Sequence, residues 1–254
     1  MKRLFALLLL AFAPLAARAD HDGAISLSPA VIMLSGEPGQ STRQSLTVVN
    51  ATSRAFSFVL EAKDVVTRGG KRVYADAGTI PGSIAATAVF SPRQVTVAPG
   101  ERVSVALTLT LPPNAAHRAV VALFRGTNRV MSGNVPMIAS LGALLTFRLS
   151  DRIDMAAEAL RVRPQSRAAN LAVTHLCTNS GAEPVVARGM LAIVGRDGAL
   201  VGRAEIQPHR LLPGESANLG AEYADELAPG RYRVVVTYDV EGHALTRSAE
   251  IEVP

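Results

Sequence analysis

Hydrophobic and polar residues alternate along much of this chain with a period of two. The clearest run is residues 102–111, where Val103, Val105, Leu107, Leu109 and Leu111 fall on one side and Ser104, Thr108 and Thr110 on the other. That period marks a strand with one face buried and one wet. The same reasoning predicts strands over residues 25–34, 44–50, 55–64, 119–124 and 141–149. Further strands follow over 170–177, 185–194, 231–239 and 245–253. Pro-Gly pairs at 38–39, 99–100, 213–214 and 229–230 punctuate these runs. Proline presets the first dihedral of a tight turn and glycine accepts positive φ at the second. Residues 152–161 alone have a helical pattern, and they read equally as a linker.

Short strands at this spacing predict an all-β chain of two tandem immunoglobulin-like antiparallel β-sandwiches. The halves also read as distant copies. Leu46-Thr-Val-Val-Asn50-Ala-Thr and Leu171-Ala-Val-Thr-His-Leu-Cys-Thr-Asn179-Ser-Gly each end a strand on Asn and small polar residues. Such side chains bond their own backbone and close a turn. The expected division is a leader at 1–19, a first sandwich at 20–150, a linker at 151–165 containing Pro164, and a second sandwich at 166–254.

The leader changes the charge picture. Lys2 and Arg3 precede an apolar run from Leu4 to Leu15, and Ala17-Arg18-Ala19 is a small-x-small cleavage site. The run is too short for a membrane span, which takes about 20 residues. Export with cleavage before Asp20 is therefore expected, giving a periplasmic or secreted protein with no membrane span in the mature chain. The formal charge of +5 includes Lys2, Arg3 and Arg18; without them 23 Lys and Arg face 21 Asp and Glu. The high pI is thus no argument for nucleic acid. Charge is unevenly divided, with 12 basic and 7 acidic residues in 20–150 against 11 and 14 in 151–254. Such asymmetry can orient a partner or the two domains, or be the solvated surface of each. A single cysteine, Cys177, rules out an intrachain disulfide, so the fold relies on its core.

Catalytic motifs are missing from the sequence. It holds no nucleophile elbow, phosphate loop or dinucleotide fingerprint. His21, His117, His175, His209 and His243 are scattered without metal-ligand spacing. Asp20-His21-Asp22 reads as a frayed terminus before it reads as a metal site. Cys177 lies in a strand-like run, where a buried inert thiol is the ordinary case and a nucleophile the other reading. Asn50-Ala51-Thr52 matches a glycosylation sequon, relevant only in a eukaryotic secretory pathway. The expectation is a protein with no enzyme activity, catalytic residue, metal or cofactor.

One segment has the character of a binding surface. No charged residue lies between Arg129 and Arg148, and Leu141-Gly-Ala-Leu-Leu-Thr-Phe147 is strongly apolar. It reads as the last strand of the first core, or as an edge strand offering backbone groups and apolar side chains to another chain. The candidate binding residues are Leu141, Ala143, Leu144, Leu145 and Phe147.

The stretches Ser26-Leu-Ser-Pro-Ala-Val-Ile-Met-Leu-Ser-Gly36, Leu46-Thr-Val-Val-Asn50-Ala-Thr, Phe90-Ser-Pro-Arg-Gln-Val-Thr-Val-Ala-Pro-Gly-Glu101 and Leu144-Leu-Thr-Phe-Arg-Leu149 resemble the N-terminal domain of periplasmic pilus-assembly chaperones. The resemblance spans residues 25–150. It implies an immunoglobulin-like domain whose last strand donates itself to another exported or envelope protein. Members of that family anchor a subunit's terminal carboxylate with a basic pair; Val31 and Leu144 stand at those places here. The layout also resembles Gram-positive peptidoglycan-binding surface proteins with tandem sandwiches, on residues 95–113 and the turns at Leu212-Pro-Gly-Glu and Leu227-Ala-Pro-Gly-Arg-Tyr. That likeness implies an envelope binding or adhesion module for a glycan or a protein.

Overall fold

The computed structural model describes residues 23–132, 135–164 and 171–254. The leader, its cleavage site and Asp20-His21-Asp22 lie outside the described residues, as do the end of the expected linker and part of the charge-free run.

The first sandwich holds β1 (Ile25–Ser28), β2 (Val31–Ser35), β3 (Ser41–Asn50), β4 (Phe56–Arg68), β5 (Lys71–Asp76), β6 (Val89–Ser91), β7 (Gln94–Val97), β8 (Arg102–Thr110), β9 (Ala119–Gly126), β10 (Val130–Ser132), β11 (Val135–Met137) and β12 (Leu141–Arg148). One sheet runs β1-β3-β8-β6. The other runs β2-β12-β9-β4-β5, with β7 also paired to β4. Between them lie Leu46 and Val48 of β3, Val105, Leu107 and Leu109 of β8, and Phe56, Phe58 and Leu60 of β4, joined by Phe124 and Leu145. Each large side chain fully buried there contributes about 1.5–3 kcal/mol relative to exposure. The period-two reading of residues 102–111 placed Val105, Leu107 and Leu109 correctly on the buried face.

The expected strand over 25–34 is two strands in different sheets. β1 pairs antiparallel with β3, whereas β2 pairs in parallel with β12. Pro29 lies at the crossing, where a residue without an N–H cannot continue a ladder.

The second sandwich holds β13 (Met155–Ala157), β14 (Arg161–Pro164), β15 (Leu171–Asn179), β16 (Val185–Gly195), β17 (Leu200–Leu211), β18 (Ser216–Tyr223), β19 (Gly230–Val240) and β20 (His243–Val253). β15 pairs with β13 and β14 along one edge and β18 along the other, facing a sheet β17-β16-β19-β20. Residues 152–161 are therefore not helical. β13 and β14, inside the stretch expected as linker, extend the sheet at β15. The pairing overrides the helix preference of Met155-Ala-Ala-Glu-Ala.

The two halves share one corner built on a buried asparagine. Asn50 Nδ2 donates to the carbonyls of Arg54, Val97 and Ala98 at 2.6, 3.0 and 3.1 Å, and Asn50 Oδ1 accepts the Thr52 N–H at 3.0 Å. Asn179 Nδ2 donates to the carbonyls of Glu183 and Leu211 at 2.8 and 3.0 Å, and Asn179 Oδ1 accepts the Gly181 N–H at 2.9 Å. Each asparagine also exchanges backbone bonds with a Pro-Gly-Glu turn. Gly100 donates to Asn50 and Asn50 to Glu101, just as Gly214 donates to Asn179 and Asn179 to Glu215. Glu101 and Glu215 close their turns by accepting the N–H of Ala98 and Leu212. Gly39, Gly100 and Gly214 have φ of 87°, 73° and 73°, as the turn requires, while Gly230, at 157°, already begins β19. Asn50 is fully buried with its amide engaged, so the sequon offers no acceptor in the folded chain.

Candidate functional site

The five candidate residues lie on β12, whose faces meet different surroundings. Ala143, Leu145 and Phe147 are buried in the first core, and Leu141 packs against it half-buried. Leu144 points the other way. It packs with Val65, Ala119, Val121 and, from the second sandwich, Leu212. Two and four residues on, Thr146 Oγ1 accepts a 2.8 Å bond from Arg210 Nη1, and Arg148 lies 3.3 Å from Glu241. One face of β12 thus belongs to a core and the other to the contact between sandwiches, so none of the five side chains stands free.

What the strand offers is backbone. β2 covers β12 only from Leu144 to Arg148, while β9 pairs with it from Leu141 to Thr146. The Leu144 N–H is aimed at Ala30 and the Phe147 N–H at Arg118, on opposite sides. Peptide groups alternate along a strand, so the N–H and C=O of Gly142 face the β2 side, ahead of where β2 begins. Gly142 is exposed. The strand is covered at its end and open at its start.

A short apolar hairpin, β10–β11, leads into that opening. Met131, Val135, Met137 and Ile138 are each 46–60% exposed and lie within the charge-free run. Large apolar side chains grouped this way on a surface mark contact sites more often than scattered ones do. Val31 and Leu144, the positions where the resemblance expects a basic pair, are register partners across β2 and β12. Both are apolar, and Val31 is half-exposed.

The charge asymmetry has a structural use. Among the described residues three ion pairs join the sandwiches, and each runs from an arginine of the first to a glutamate of the second. Arg72 Nε lies 2.8 Å from Glu215, Arg118 Nε 3.5 Å from Glu183, and Arg148 Nη1 3.3 Å from Glu241. The first two are charge contacts without an aligned hydrogen bond at Nε. Buried Glu183 also accepts the Leu149 N–H at 3.1 Å and the Ser150 hydroxyl at 2.8 Å, fixing the chain where it leaves the first sandwich. Arg72 Nη2 donates to the Arg210 carbonyl at 2.7 Å. Sequence reading noted the imbalance but not these partners, which are far apart in the chain.

Asp64, Ser83 and His117 also meet in the structure, with connectivity unlike that of a hydrolase. Ser83 Oγ donates to Asp64 Oδ2 at 2.6 Å, and His117 Nε2 and the Ala85 N–H bond Asp64 Oδ1 at 2.8 and 2.9 Å. The serine proton points to the carboxylate rather than to the histidine, so the cluster ties the carboxyl group into the core and does not activate the serine. Among the described residues no group of three or more His, Cys, Asp or Glu is arranged to hold a metal ion. No helix there is long and apolar enough to cross a membrane.

No protein-family model matches the chain, and no curated protein matches it. Solved structures that the chain matches include fimbrial chaperones. The class 5 fimbriae chaperone CfaA is 12% identical, with 91% of this chain and all of that one covered at a TM-score of 0.49. The E. coli chaperone DraB is 15% identical, covering 90% of this chain and 98% of its own at 0.41. A structure of the Salmonella enterica SafA pilin in complex with the SafB chaperone is matched at 12% identity and 0.41, over 90% of this chain and 96% of that one.

Proposed function

We propose that this chain is an exported, non-enzymatic binding protein of the pilus-chaperone kind. It acts in the periplasm or outside the cell and pairs a strand of another exported protein with the open start of β12. The observation that carries this reading is the uncovered peptide edge at Gly142, flanked by the exposed hairpin β10–β11. A partner strand gains ladder hydrogen bonds there and sets alternate side chains against Met137 and Ile138. Leu141, Ala143, Leu145 and Phe147 hold the strand in place, and Leu144 fixes it against the second sandwich. We place the division between independently folding units ahead of β13.

The test is Gly142→Pro. Proline removes the outward N–H and puts its ring on the open edge, leaving the bonds to β9 untouched. The Cβ meets the flexible end of Val121, Cγ2, at 3.3 Å and the Ala122 carbonyl oxygen at 4.0 Å. Two or three blocked ladder bonds, each worth about 0.5–1.5 kcal/mol net, lower affinity on the order of a hundredfold. Capture from an envelope extract is compared for wild-type and variant protein, with thermal melting as the control for folding. Equal capture by a normally melting variant refutes pairing at this edge.

A further inference from the structure

The core of the second sandwich contains a polar chain that the binding edge does not use. His175 is buried on β15, its ring stacked on Tyr238 of β19 with centroids 5.2 Å apart. Its Nδ1 lies 3.3 Å from the Glu158 carbonyl and its Nε2 2.7 Å from the Tyr238 hydroxyl. A carbonyl only accepts, so Nδ1 carries the proton and Nε2 accepts from Tyr238. Cys177, two residues along β15 and fully buried, interacts with the same tyrosine hydroxyl. Every position in this chain is filled by the neutral imidazole.

A second proton on His175 breaks that order. Nε2 would have to donate, the Tyr238 hydroxyl would turn to the weak acceptor Cys177, and a charge would sit in the core. The groups facing the ring are Tyr238 from β19, Cys177 from β15 and the Glu158 carbonyl from the β13–β14 connection. The nearest charge acting on it is the cation Arg247 of β20, tied to the Ala157 carbonyl at 3.0 Å. No carboxylate appears among these partners.

We infer that His175 makes the second sandwich an acid-sensitive unit, one that loosens on protonation while the first sandwich stays closed. Burial, the largest influence, holds its imidazole below the usual range; the bond to the Glu158 carbonyl opposes this in part, and Arg247 pushes the same way as burial. The unfolded chain takes up this proton near pH 6.5 and the folded chain resists it. Stability is therefore full above about pH 6.5 and falls below it, with the unfolding constant rising up to tenfold per pH unit. The consequence reaches the contact between sandwiches. Asn179, four residues along the same strand, places Glu183 against Leu149, Ser150 and Arg118. Loosening β15 loosens that hold.

The experiment uses the full mature chain. Hydrogen exchange is followed by mass spectrometry from pH 7.5 to 5, corrected for intrinsic rates, in wild type and His175→Gln. Opening of peptides from β15 and β19 is expected to rise as pH falls below 6.5, up to tenfold per unit, while β8 is unmoved; the variant is expected to show no such rise. The imidazole nitrogens of the folded wild type are titrated by NMR in parallel. They should show the Nδ1–H form persisting below pH 6. A His175 that becomes charged near pH 6.5 in the folded protein overturns the inference, whether or not the variant folds. So does a pH dependence of β15 that is identical in wild type and His175→Gln.

Discussion

The paired asparagine corners allow one perturbation to be made twice in the same molecule. Asn179→Ala removes the amide that donates to the buried carbonyls of Glu183 and Leu211 and leaves the Gly181 N–H with the Asp154 carbonyl alone. A buried polar group stripped of its partner costs about 1–3 kcal/mol. Two such carbonyls, with a more exposed N–H adding little, come to about 3–5 kcal/mol, a large share of the roughly 5–15 kcal/mol that holds a domain together. Asn50→Ala should cost less, about 2–4 kcal/mol, because only its bond to Val97 is fully buried and the groups around Arg54 and Ala98 can meet water. Asn179→Asp should be no milder than alanine, since it turns a carboxylate oxygen toward two carbonyls. Urea unfolding with hydrogen exchange as the regional readout distinguishes the halves. Each alanine should destabilise its own sandwich, and only Asn179→Ala should also raise exchange at Leu149 and Ser150, through Glu183. If both variants unfold within about 0.5 kcal/mol of wild type, the corners are ordinary turns and the reasoning fails.

The strand faces give a second set of outcomes. Leu145→Asp buries an unpaired carboxylate in the first core and should abolish soluble folded protein, judged by circular dichroism. Leu144→Asp should spare that core but raise exchange in the Leu212 turn, because it faces the contact between sandwiches. Met137→Asp, on the exposed hairpin, should melt within a few degrees of wild type yet lose partner capture. Burial pushes the Cys177 thiol up to about 11, so a thiol reagent at pH 8 should react with it only after denaturant is added. Rapid labelling of the native chain would contradict its placement.

Strands that bury one whole face were legible because alternation is a direct record of burial. β3, β8 and β9 show it, and the Pro-Gly turns at Gly39, Gly100 and Gly214 follow from dihedral preference alone. β17 went unread because Ile206 and Leu211 are its only buried residues, and Leu200, Val201, Arg203, Glu205, Gln207, Pro208 and His209 are all exposed. A strand wetted on most sides has no period to read. β5 failed for the same reason. The proposed binding segment was half legible. Its apolar character marked a strand whose side chains belong to the core, but the open backbone at Gly142 depends on where β2 begins. That starting point follows Pro29, more than 100 residues away in sequence.

The duplicated corner also locates where the halves stopped being copies. Four residues past each asparagine, its amide holds a backbone carbonyl, of Arg54 in the first sandwich and Glu183 in the second. The backbone is the same, but the side chains are opposite in charge. Arg54 is half-exposed, while Glu183 is buried against Arg118 and the chain leaving β12. The turn glutamates diverge likewise: Glu101 closes its own turn and goes no further, whereas Glu215 also meets Arg72. The two sandwiches thus share one corner, and arginines of the first with glutamates of the second supply their joint. Glu241 meets Arg148 of β12 and Glu183 holds the chain just past it, so the joint fixes that end of the strand against the second sandwich while the peptide edge at Gly142 stays uncovered.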